Sequence, residues 1–307
     1  MKSMEGIGNT PLIKLNKLTG PHDAEVYVKY EGANPTGSMK DRMALSMVEG
    51  ALDSGLLKPG MRVVEYTGGS TGSSLAMVCA KKGIPCYFVS SDAFAAEKIQ
   101  MMRAFGATVE MIPSGDGSVT PLLIQKMGER LREIEKEDNC LWINQFNNLD
   151  NKRGYHAMAD EIISAMDGEF DEFIGPAGTG GCFSGNSERL KERMANVRCL
   201  ATEPYYVRVL TEGQRNGKHR LEGMGIGFVT SIFRTDLVDE VVPVKDEDAF
   251  EIARRLSREE GLMVGISSGA NVWAALQRAK ELGPGKRIVT VACDSGLKYL
   301  NGDLFEA

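Results

Sequence analysis

Short apolar runs rich in β-branched and aromatic residues alternate with longer stretches of helical periodicity along this chain of 307 residues. Such runs predict strands, because these side chains suit a pleated surface. The predicted strands are Val26–Tyr30, Arg62–Glu65, Pro85–Val89, Thr108–Ile112, Leu141–Ile143, Glu172–Ile174, Arg198–Thr202, Glu240–Val244 and Arg287–Ala292. The predicted helices are Met39–Ser54, Thr71–Lys82, Ala95–Phe105, Val119–Glu137, Lys152–Met166, Ser184–Met194, Asp246–Glu259 and Ser268–Leu282. This alternation indicates parallel sheets covered by helices on both faces.

Glycines and polar segments suggest where these elements end and where the chain divides. Gly55, Gly83, Gly106 and Gly283 follow helical runs, so we expect positive φ angles there. The polar segment Asn144–Arg153 is the best candidate for a domain junction. We therefore predict an α/β fold of two doubly wound domains with mainly parallel sheets, one of residues 1–147 and one of residues 148–307. Residues from about 11 to 31 are candidates for joining the C-terminal sheet.

A glycine-rich turn, Gly175–Cys182, follows one predicted strand and precedes a helix. Ligands of doubly wound sheets bind beyond the carboxyl ends of the strands, and amides at the start of a helix favour anions. The turn is no dinucleotide fingerprint, because Phe183 stands where the third glycine is needed, and no Gly-Lys-Ser/Thr follows as in a P-loop. It predicts a phosphate site of another type, although a tight packing turn would have the same pattern.

A second turn of this kind, Glu65–Ser74, also links a strand to a helix. Its glycines let a ligand approach the backbone, and the hydroxyls of Thr67, Ser70 and Thr71 add donors. A carboxylate would suit this cradle as well as a phosphate. An ordinary capped strand-to-helix turn is the alternative.

Two further segments carry candidate chemical groups. Lys40 stands in the first turn of a predicted helix, where the amide end of the helix disfavours the charged amine. The neutral amine is the form that attacks a carbonyl, so the position suits imine chemistry. A solvated lysine beside Asp41 and Arg42 is the alternative. Ser295 follows the last strand and offers a hydroxyl to a ligand, or simply lies in a surface turn.

Composition narrows the class of protein further. The chain has 36 basic and 42 acidic residues, a net charge of −6, so binding of nucleic acid or an anionic membrane is not expected. Its six cysteines form no C-x-x-C pair, and its three histidines lie far apart in sequence, so we expect reduced thiols and no metal site. No apolar run approaches the ~18 residues of a membrane span, and no targeting segment is apparent, which favours a cytoplasmic location.

Taken together and in order, these segments resemble the cysteine synthase family of pyridoxal 5'-phosphate (PLP) enzymes, of fold type II or the tryptophan synthase β class. The resemblance covers nearly the whole chain. The segments that carry it are Ile7–Leu12, Asn34–Arg42, Thr67–Gly72, Asn144–Phe146, Gly178–Gly181, Gly223–Phe228, Gly265–Ala270 and Asp294–Leu300.

The resemblance implies a role for each candidate residue, with PLP held in the cleft between the two domains. Lys40 would carry PLP as an imine, and Ser295 would face its pyridine nitrogen. The cofactor phosphate would be bound by Gly178, Thr179, Gly180, Gly181 and Cys182. The substrate carboxylate and the ring hydroxyl of the cofactor would be surrounded by Thr67, Gly68, Gly69, Ser70, Thr71 and Gln145, with Ser70 nearest the cofactor.

The reaction implied is β-replacement on a serine- or cysteine-type amino acid through an α-aminoacrylate, most simply cysteine synthesis from an O-activated serine and sulfide by a homodimer. Lys40 would move the α-proton. A hydroxyl at residue 295 does not hold a proton on the pyridine nitrogen as a carboxylate would, which favours β-chemistry over transamination. The alternatives are a lyase that releases hydrogen sulfide from cysteine by elimination or hydration, and a catalytically idle binding partner.

The chain departs from the family pattern at four positions. Gly68 and Ser70 replace a serine and an asparagine, Cys182 replaces a threonine, and a proline expected near Thr230 is missing. These departures do not change the prediction that PLP is the cofactor. They leave open which amino acid and which nucleophile are the two substrates.

Overall fold

The structure is a computed structural model that describes residues 4–115, 117, 120–137, 139–215 and 217–306. It consists of two compact units, one of residues 1–39 with 155–307 and one of residues 40–154. The sequence predicts one division after residue 147, whereas the chain changes unit after residues 39 and 154. The reason is that the first 39 residues supply two strands to the sheet of the first unit.

The helices and strands of the described residues are numbered in chain order. The strands are β1 (Leu12–Lys14), β2 (Glu25–Tyr30), β3 (Arg62–Tyr66), β4 (Cys86–Ser91), β5 (Thr108–Ile112), β6 (Cys140–Trp142), β7 (Glu172–Pro176), β8 (Arg198–Pro204), β9 (Glu240–Val244) and β10 (Arg287–Ala292). The α-helices are α1 (Lys40–Asp53), α2 (Ser70–Lys82), α3 (Ala96–Ala104), α4 (Pro121–Glu135), α5 (Leu149–Arg153), α6 (His156–Ala165), α7 (Gly181–Arg193), α8 (Val209–Glu212), α9 (Asp246–Arg255) and α10 (Ile266–Leu282). Across the described ranges, no helix is both long and apolar enough to cross a membrane.

The first unit is built on a six-stranded sheet in the order β1-β2-β10-β7-β8-β9. All neighbouring strands are parallel except β1, which pairs antiparallel with β2. The core includes Val26, Leu200 and Ile288 from the strands and small side chains of α10 such as Ala274 and Ala275. Alanines on α10 let this helix lie close to the sheet, so its amino end is held firmly beside the strand ends.

The second unit is built on a four-stranded parallel sheet in the order β5-β4-β3-β6. One face of α4 packs on it, and the buried residues there include Val64, Val89, Met127 and Leu131. β3 is central and leads directly into α2, so the turn between them lies at the carboxyl edge of the sheet, where ligands of such sheets bind.

The structure confirms the predicted alternation of strands and helices and differs from it at particular points. β5, β9 and β10 have the predicted bounds, and all four helix-ending glycines have positive φ. The predicted helix Lys152–Met166 is split into α5 and α6 at Gly154, where a Cβ would lie 2.7 Å from the backbone oxygen of Arg42. The predicted start at Val119 lies outside the described residues, and α4 begins at Pro121.

Candidate active site

Lys40 is the first residue of α1 in the second unit and is only 9% exposed. Its neighbour Asp41 is fully buried, and the hydroxyl of Ser74 on α2 lies 2.6 Å from Asp41 Oδ1 and 2.9 Å from the backbone oxygen of Ser70. The beginning of α1 is therefore linked to the beginning of α2. This link fixes the backbone at Lys40 relative to the turn between β3 and α2.

That turn is shaped by the side chain of Thr67. Its Oγ1 accepts the N–H groups of Gly69 at 3.3 Å and Gly72 at 3.2 Å, and Ser90 Oγ donates to its backbone oxygen at 2.8 Å. The sequence assigns the Thr67 hydroxyl to a ligand, and the structure shows that its oxygen also organises the turn. The amino end of α2 begins at Ser70, directly after this turn.

Gln145 lies just after β6 and is buried beside the same turn. Its side-chain Oε1 accepts a hydrogen bond from Thr71 Oγ1 at 2.8 Å, and its backbone oxygen accepts one from Asn151 Nδ2 at 2.6 Å. The structure thus brings together Thr71 and Gln145, two residues that the resemblance assigns to the substrate.

Glu65 is a buried carboxylate beside this site to which the sequence assigns no role. It has no exposed surface and accepts N–H groups from Gln145, Trp142 and Tyr66 at 2.9, 3.0 and 2.9 Å. Burial raises the pKa of Glu65 to about 7, and the three N–H donors oppose this rise. A glutamate near the end of the apolar strand β3, just before a glycine-rich turn, was the only available signal.

Two side chains from the segment after β4 cover the glycines of the turn. A Cβ on Gly68 would lie 2.3 Å from the ring of Phe94, and a Cβ on Gly69 would lie 2.5 Å from Cδ of Lys98. Lys98 is 3% exposed and lies on α3. A side chain at residue 68 or 69 would therefore require Phe94 or Lys98 to shift. Sequence patterns did not single out Phe94 or Lys98.

The first unit carries the predicted phosphate turn between β7 and α7. Gly180 has φ +93°, and a Cβ there would lie 2.9 Å from Phe233 Cβ. A Cβ on Gly178 would lie 2.1 Å from the backbone oxygen of Gly223. α7 begins at Gly181, so its unbonded amides open toward this turn. A side chain at residue 178 or 180 would therefore collide with neighbouring segments of the chain.

The side chain of Thr230 is hydrogen-bonded to this turn. Its Oγ1 donates to the backbone oxygen of Thr179 at 2.6 Å, and both residues are buried. A proline at residue 230, as the family pattern has near here, could not make this hydrogen bond. Cys182 is buried in the first turn of α7, and its backbone oxygen accepts Asn186 Nδ2 at 2.8 Å. Its thiol therefore takes the place of the family hydroxyl inside the protein.

Ser295, also in the first unit, is buried just beyond β10. Its Oγ accepts the N–H of Leu297 at 3.3 Å, and its backbone N–H donates to Gly37 O at 2.9 Å. Met39 N–H donates to Cys293 O at 2.8 Å. The segment that carries Ser295 is thus paired with the residues that immediately precede Lys40 in the chain.

These residues fit the chemistry of PLP. A buried lysine suits the aldehyde, and the glycine cradle at the start of α7 suits the phosphate. The oxygen of Ser295 is occupied by an N–H donor, which leaves its proton to be donated to an unprotonated pyridine nitrogen. The first unit contributes the buried amides and the hydroxyl donor, and the second unit contributes the amine.

Comparison with known proteins decides the family. The sequence pattern of the family described as pyridoxal-phosphate dependent enzyme matches residues 4–294. The chain belongs to this family. It is a PLP-dependent enzyme of the cysteine synthase type, as the resemblance predicts, and its α/β fold is the predicted one.

Curated relatives and solved structures match almost the whole length of this PLP enzyme. A cysteine synthase from Staphylococcus aureus is 37% identical over 301 residues, covering 97% of this chain and 95% of the relative. Cysteine synthase B from Campylobacter jejuni is 39% identical over 305 residues, covering 99% and 98%. Among solved structures, a hydrogen sulfide-producing enzyme from Fusobacterium nucleatum is 39% identical, with a TM-score of 0.90 over 96% of this chain and 98% of that one.

Proposed function

We propose that this enzyme makes cysteine by β-replacement, exchanging the β-substituent of an O-activated serine for sulfide. The observation that carries the proposal is the similarity to two bacterial cysteine synthases at 37% and 39% identity, which covers 97% and 99% of this chain. The side chains that the structure groups around the turn after β3 support it, since that turn offers amides and hydroxyls to a carboxylate.

Lys40 has two roles in this proposal. Its Nζ binds the cofactor covalently, and once the amino acid has taken that place, the same Nζ removes the proton from the substrate Cα and later returns it. When bound, PLP withdraws electrons from Cα and so weakens the Cα–H bond. A base positioned in this way contributes a factor of ~10²–10⁴ in rate. The Asp41–Ser74 link holds the backbone of Lys40 for this task.

The turn after β3 binds the substrate carboxylate. Gly68, Gly69, Ser70 and Thr71 present amides at the amino end of α2, where the helix dipole favours negative charge. Gln145 orients the hydroxyl of Thr71 by accepting its hydrogen bond. This turn thereby fixes the carboxylate of the substrate. The position of the β-carbon then depends on how the cofactor holds the rest of the amino acid.

The cofactor phosphate would be held at the cradle formed by Gly178, Thr179, Gly180 and Gly181, with Cys182 in the first turn of α7. Ser295 would donate a hydrogen bond to the pyridine nitrogen and, unlike a carboxylate, would not keep that nitrogen protonated. A stable carbanion is then less favoured, so loss of a β-leaving group is preferred to transamination. This arrangement supports β-chemistry whichever β-substituent is used.

Release of hydrogen sulfide from cysteine is the second candidate function. The hydrogen sulfide-producing enzyme of Fusobacterium nucleatum is as similar to this chain as the Campylobacter relative, at 39% identity. Gly68, which replaces the family serine and has Phe94 packed against it, makes this turn differ from the family pattern. The two functions share the step at Lys40 and differ in the nucleophile that completes the reaction.

A cytoplasmic homodimer completes the proposal. Its support is the resemblance to the family and the presence of six free cysteines, which suit a reducing compartment. Sedimentation velocity of the purified protein tests the dimer. A single species at the mass of one chain would contradict it.

The donor amino acid is identified by stopped-flow absorbance of the PLP-loaded enzyme mixed with O-acetylserine, O-phosphoserine, serine or cysteine. We expect one O-activated serine to produce the fastest spectral change and, with sulfide added, cysteine. Sulfide release from cysteine alone, faster than any synthesis, would favour the lyase. No spectral change with any amino acid would point to the idle binding partner.

A further inference from the structure

We propose that Glu65 is a positioning residue for the substrate-carboxylate site and acts on Thr71 through Gln145. The inference rests on the proposed function insofar as it takes Thr71 and Gln145 to serve the substrate. All the contacts that carry it lie within the second unit.

Glu65 is a carboxylate without exposed surface and without a cation beside it. Oε1 accepts the N–H of Tyr66 at 2.9 Å and Trp142 Nε1 at 3.0 Å, and Oε2 accepts the N–H of Gln145 at 2.9 Å. No lysine or arginine of the described residues forms an ion pair with it. Burying a charge without a counter-ion is costly, so an unpaired buried carboxylate indicates a task that an apolar residue could not perform.

The carboxylate fixes the backbone on which the Gln145 side chain stands. The Gln145 N–H is held by Glu65 Oε2, and its backbone oxygen is held by Asn151 Nδ2 at 2.6 Å. Between these two anchors, the side chain receives the Thr71 hydroxyl at 2.8 Å. Loss of the first anchor lets Gln145 move, and the hydroxyl of Thr71 then loses its orientation at the start of α2.

The two oxygens of Glu65 are not equivalent. Oε1 accepts two N–H groups, whereas Oε2 accepts one. A proton on Oε2 disturbs one hydrogen bond, whereas a proton on Oε1 disturbs two, so Oε2 is the favoured site of protonation. Because that oxygen faces the Gln145 N–H, protonation weakens the bond to Gln145 and leaves the bonds to Tyr66 and Trp142 in place.

The groups around Glu65 allow it to titrate near neutral pH. Burial raises its pKa to about 7, opposed only by the three N–H donors, and no charge of the described residues on α2, α4, β4 or β6 contributes. Burial raises the pKa of the neighbouring Tyr66 hydroxyl to about 12, the charge of Glu65 adds to this rise, and Arg132 of α4 opposes it. Near pH 7 the titrating group at this site is therefore Glu65.

Trp142 reports this ionisation directly, because its indole N–H is bonded to Oε1. The chain contains two tryptophans, so ¹⁹F NMR of the PLP enzyme with fluorinated tryptophan gives two signals, and Trp273 serves as the internal control. We expect the Trp142 signal to shift with an inflection near pH 7 in the wild-type enzyme and to lose this inflection in Glu65→Gln. A wild-type Trp142 signal without an inflection would overturn the inference.

Substrate kinetics test the link to the site. The amide nitrogen of Glu65→Gln would face the Gln145 N–H, donor against donor, and so imitate the protonated state at every pH. We expect its KM for the amino acid to rise about tenfold at pH 8, with a smaller change in kcat, and to be independent of pH. The wild-type KM should rise toward the same value as the pH falls below about 7, a measurement that needs no variant.

A matched control is Glu110→Gln on the edge strand β5, which removes a carboxylate bonded to Arg130 and Tyr87 in the same sheet. It should leave the pH dependence of KM unchanged. If the wild-type enzyme binds amino acids and Glu65→Gln keeps the wild-type KM and pH profile, the inference alone is overturned. If the wild-type enzyme binds no amino acid, both the proposed function and the inference are overturned.

Discussion

The ring of Phe94 lies against Gly68 so closely that a Cβ on residue 68 would be 2.3 Å from ring atom Cε1. Gly68 is one of the departures from the family pattern, which has serine at this position. The contact shows that this departure is coupled to a second residue, because Phe94 occupies the space that a serine side chain needs. The turn after β3 and the segment after β4 are therefore packed against each other at this position.

Restoring serine at residue 68 should be harmful by itself and tolerated together with a smaller residue 94. In Gly68→Ser the added atoms meet the Phe94 ring, and such overpacking costs ~1–3 kcal/mol. We expect a lower melting temperature and a higher KM for the amino acid. Adding Phe94→Ala should recover part of both losses. Equal stability of Gly68→Ser and the wild type would contradict the packing argument.

Thr230 should contribute to cofactor binding through Thr179. Thr230→Val keeps the shape of the side chain and removes the hydroxyl, which loses a hydrogen bond worth ~1 kcal/mol. We expect about fivefold weaker binding of PLP to the apoenzyme, measured by fluorescence titration. Thr230→Ser keeps the hydroxyl and serves as the control. Equal affinity of the two variants would show that the hydrogen bond does not support the phosphate turn.

Glu65 should make the protein less stable as the pH rises. Its pKa is about 7 in the folded protein, above the 4.5 of an unperturbed glutamate, so the folded state binds the proton more tightly. The free energy of unfolding should therefore fall between about pH 4.5 and 7, by about 3 kcal/mol in total from this group. Urea unfolding across this range should show a smaller decrease in Glu65→Gln. Identical pH dependence of both proteins would exclude this effect.

Ser295 should favour β-replacement over transamination. In Ser295→Asp a carboxylate would hold a proton on the pyridine nitrogen, which favours a stable carbanion. We expect slower β-replacement and a rise in transamination, measured as keto acid formed per turnover. Ser295→Cys is the control, because cysteine is similar in size to serine and introduces no carboxylate. An unchanged ratio of the two reactions in Ser295→Asp would refute the assigned role.

The sequence predicts much of this fold because its strands are short apolar runs that end at glycine or polar turns. β5, β9 and β10 have the predicted bounds for this reason. β1 was missed, since Leu12–Lys14 is only three residues long and is defined by its antiparallel pairing with β2. Such pairing depends on a distant segment, which local periodicity does not contain.

In the candidate site, too, some features are local sequence patterns, whereas others depend on contacts between distant parts of the chain. The glycine-rich turns could be found from the sequence because helix starts with glycine and hydroxyl residues are local patterns. Phe94 and Lys98 could not, since their importance comes from contacts with Gly68 and Gly69 on another part of the chain. Glu65 was missed because a glutamate is ordinarily exposed, and its burial depends on donors from β6 and the residues after it.

The assignment of Lys40 as the residue that binds PLP is tested most directly by borohydride reduction of the yellow enzyme and peptide mapping. Reduction fixes the cofactor to the amine that holds it. We expect a phosphopyridoxyl group on Lys40 and none on Lys98, which among the described residues of this unit is the other buried lysine. An unmodified Lys40 peptide, or a label on Lys98 instead, would contradict it.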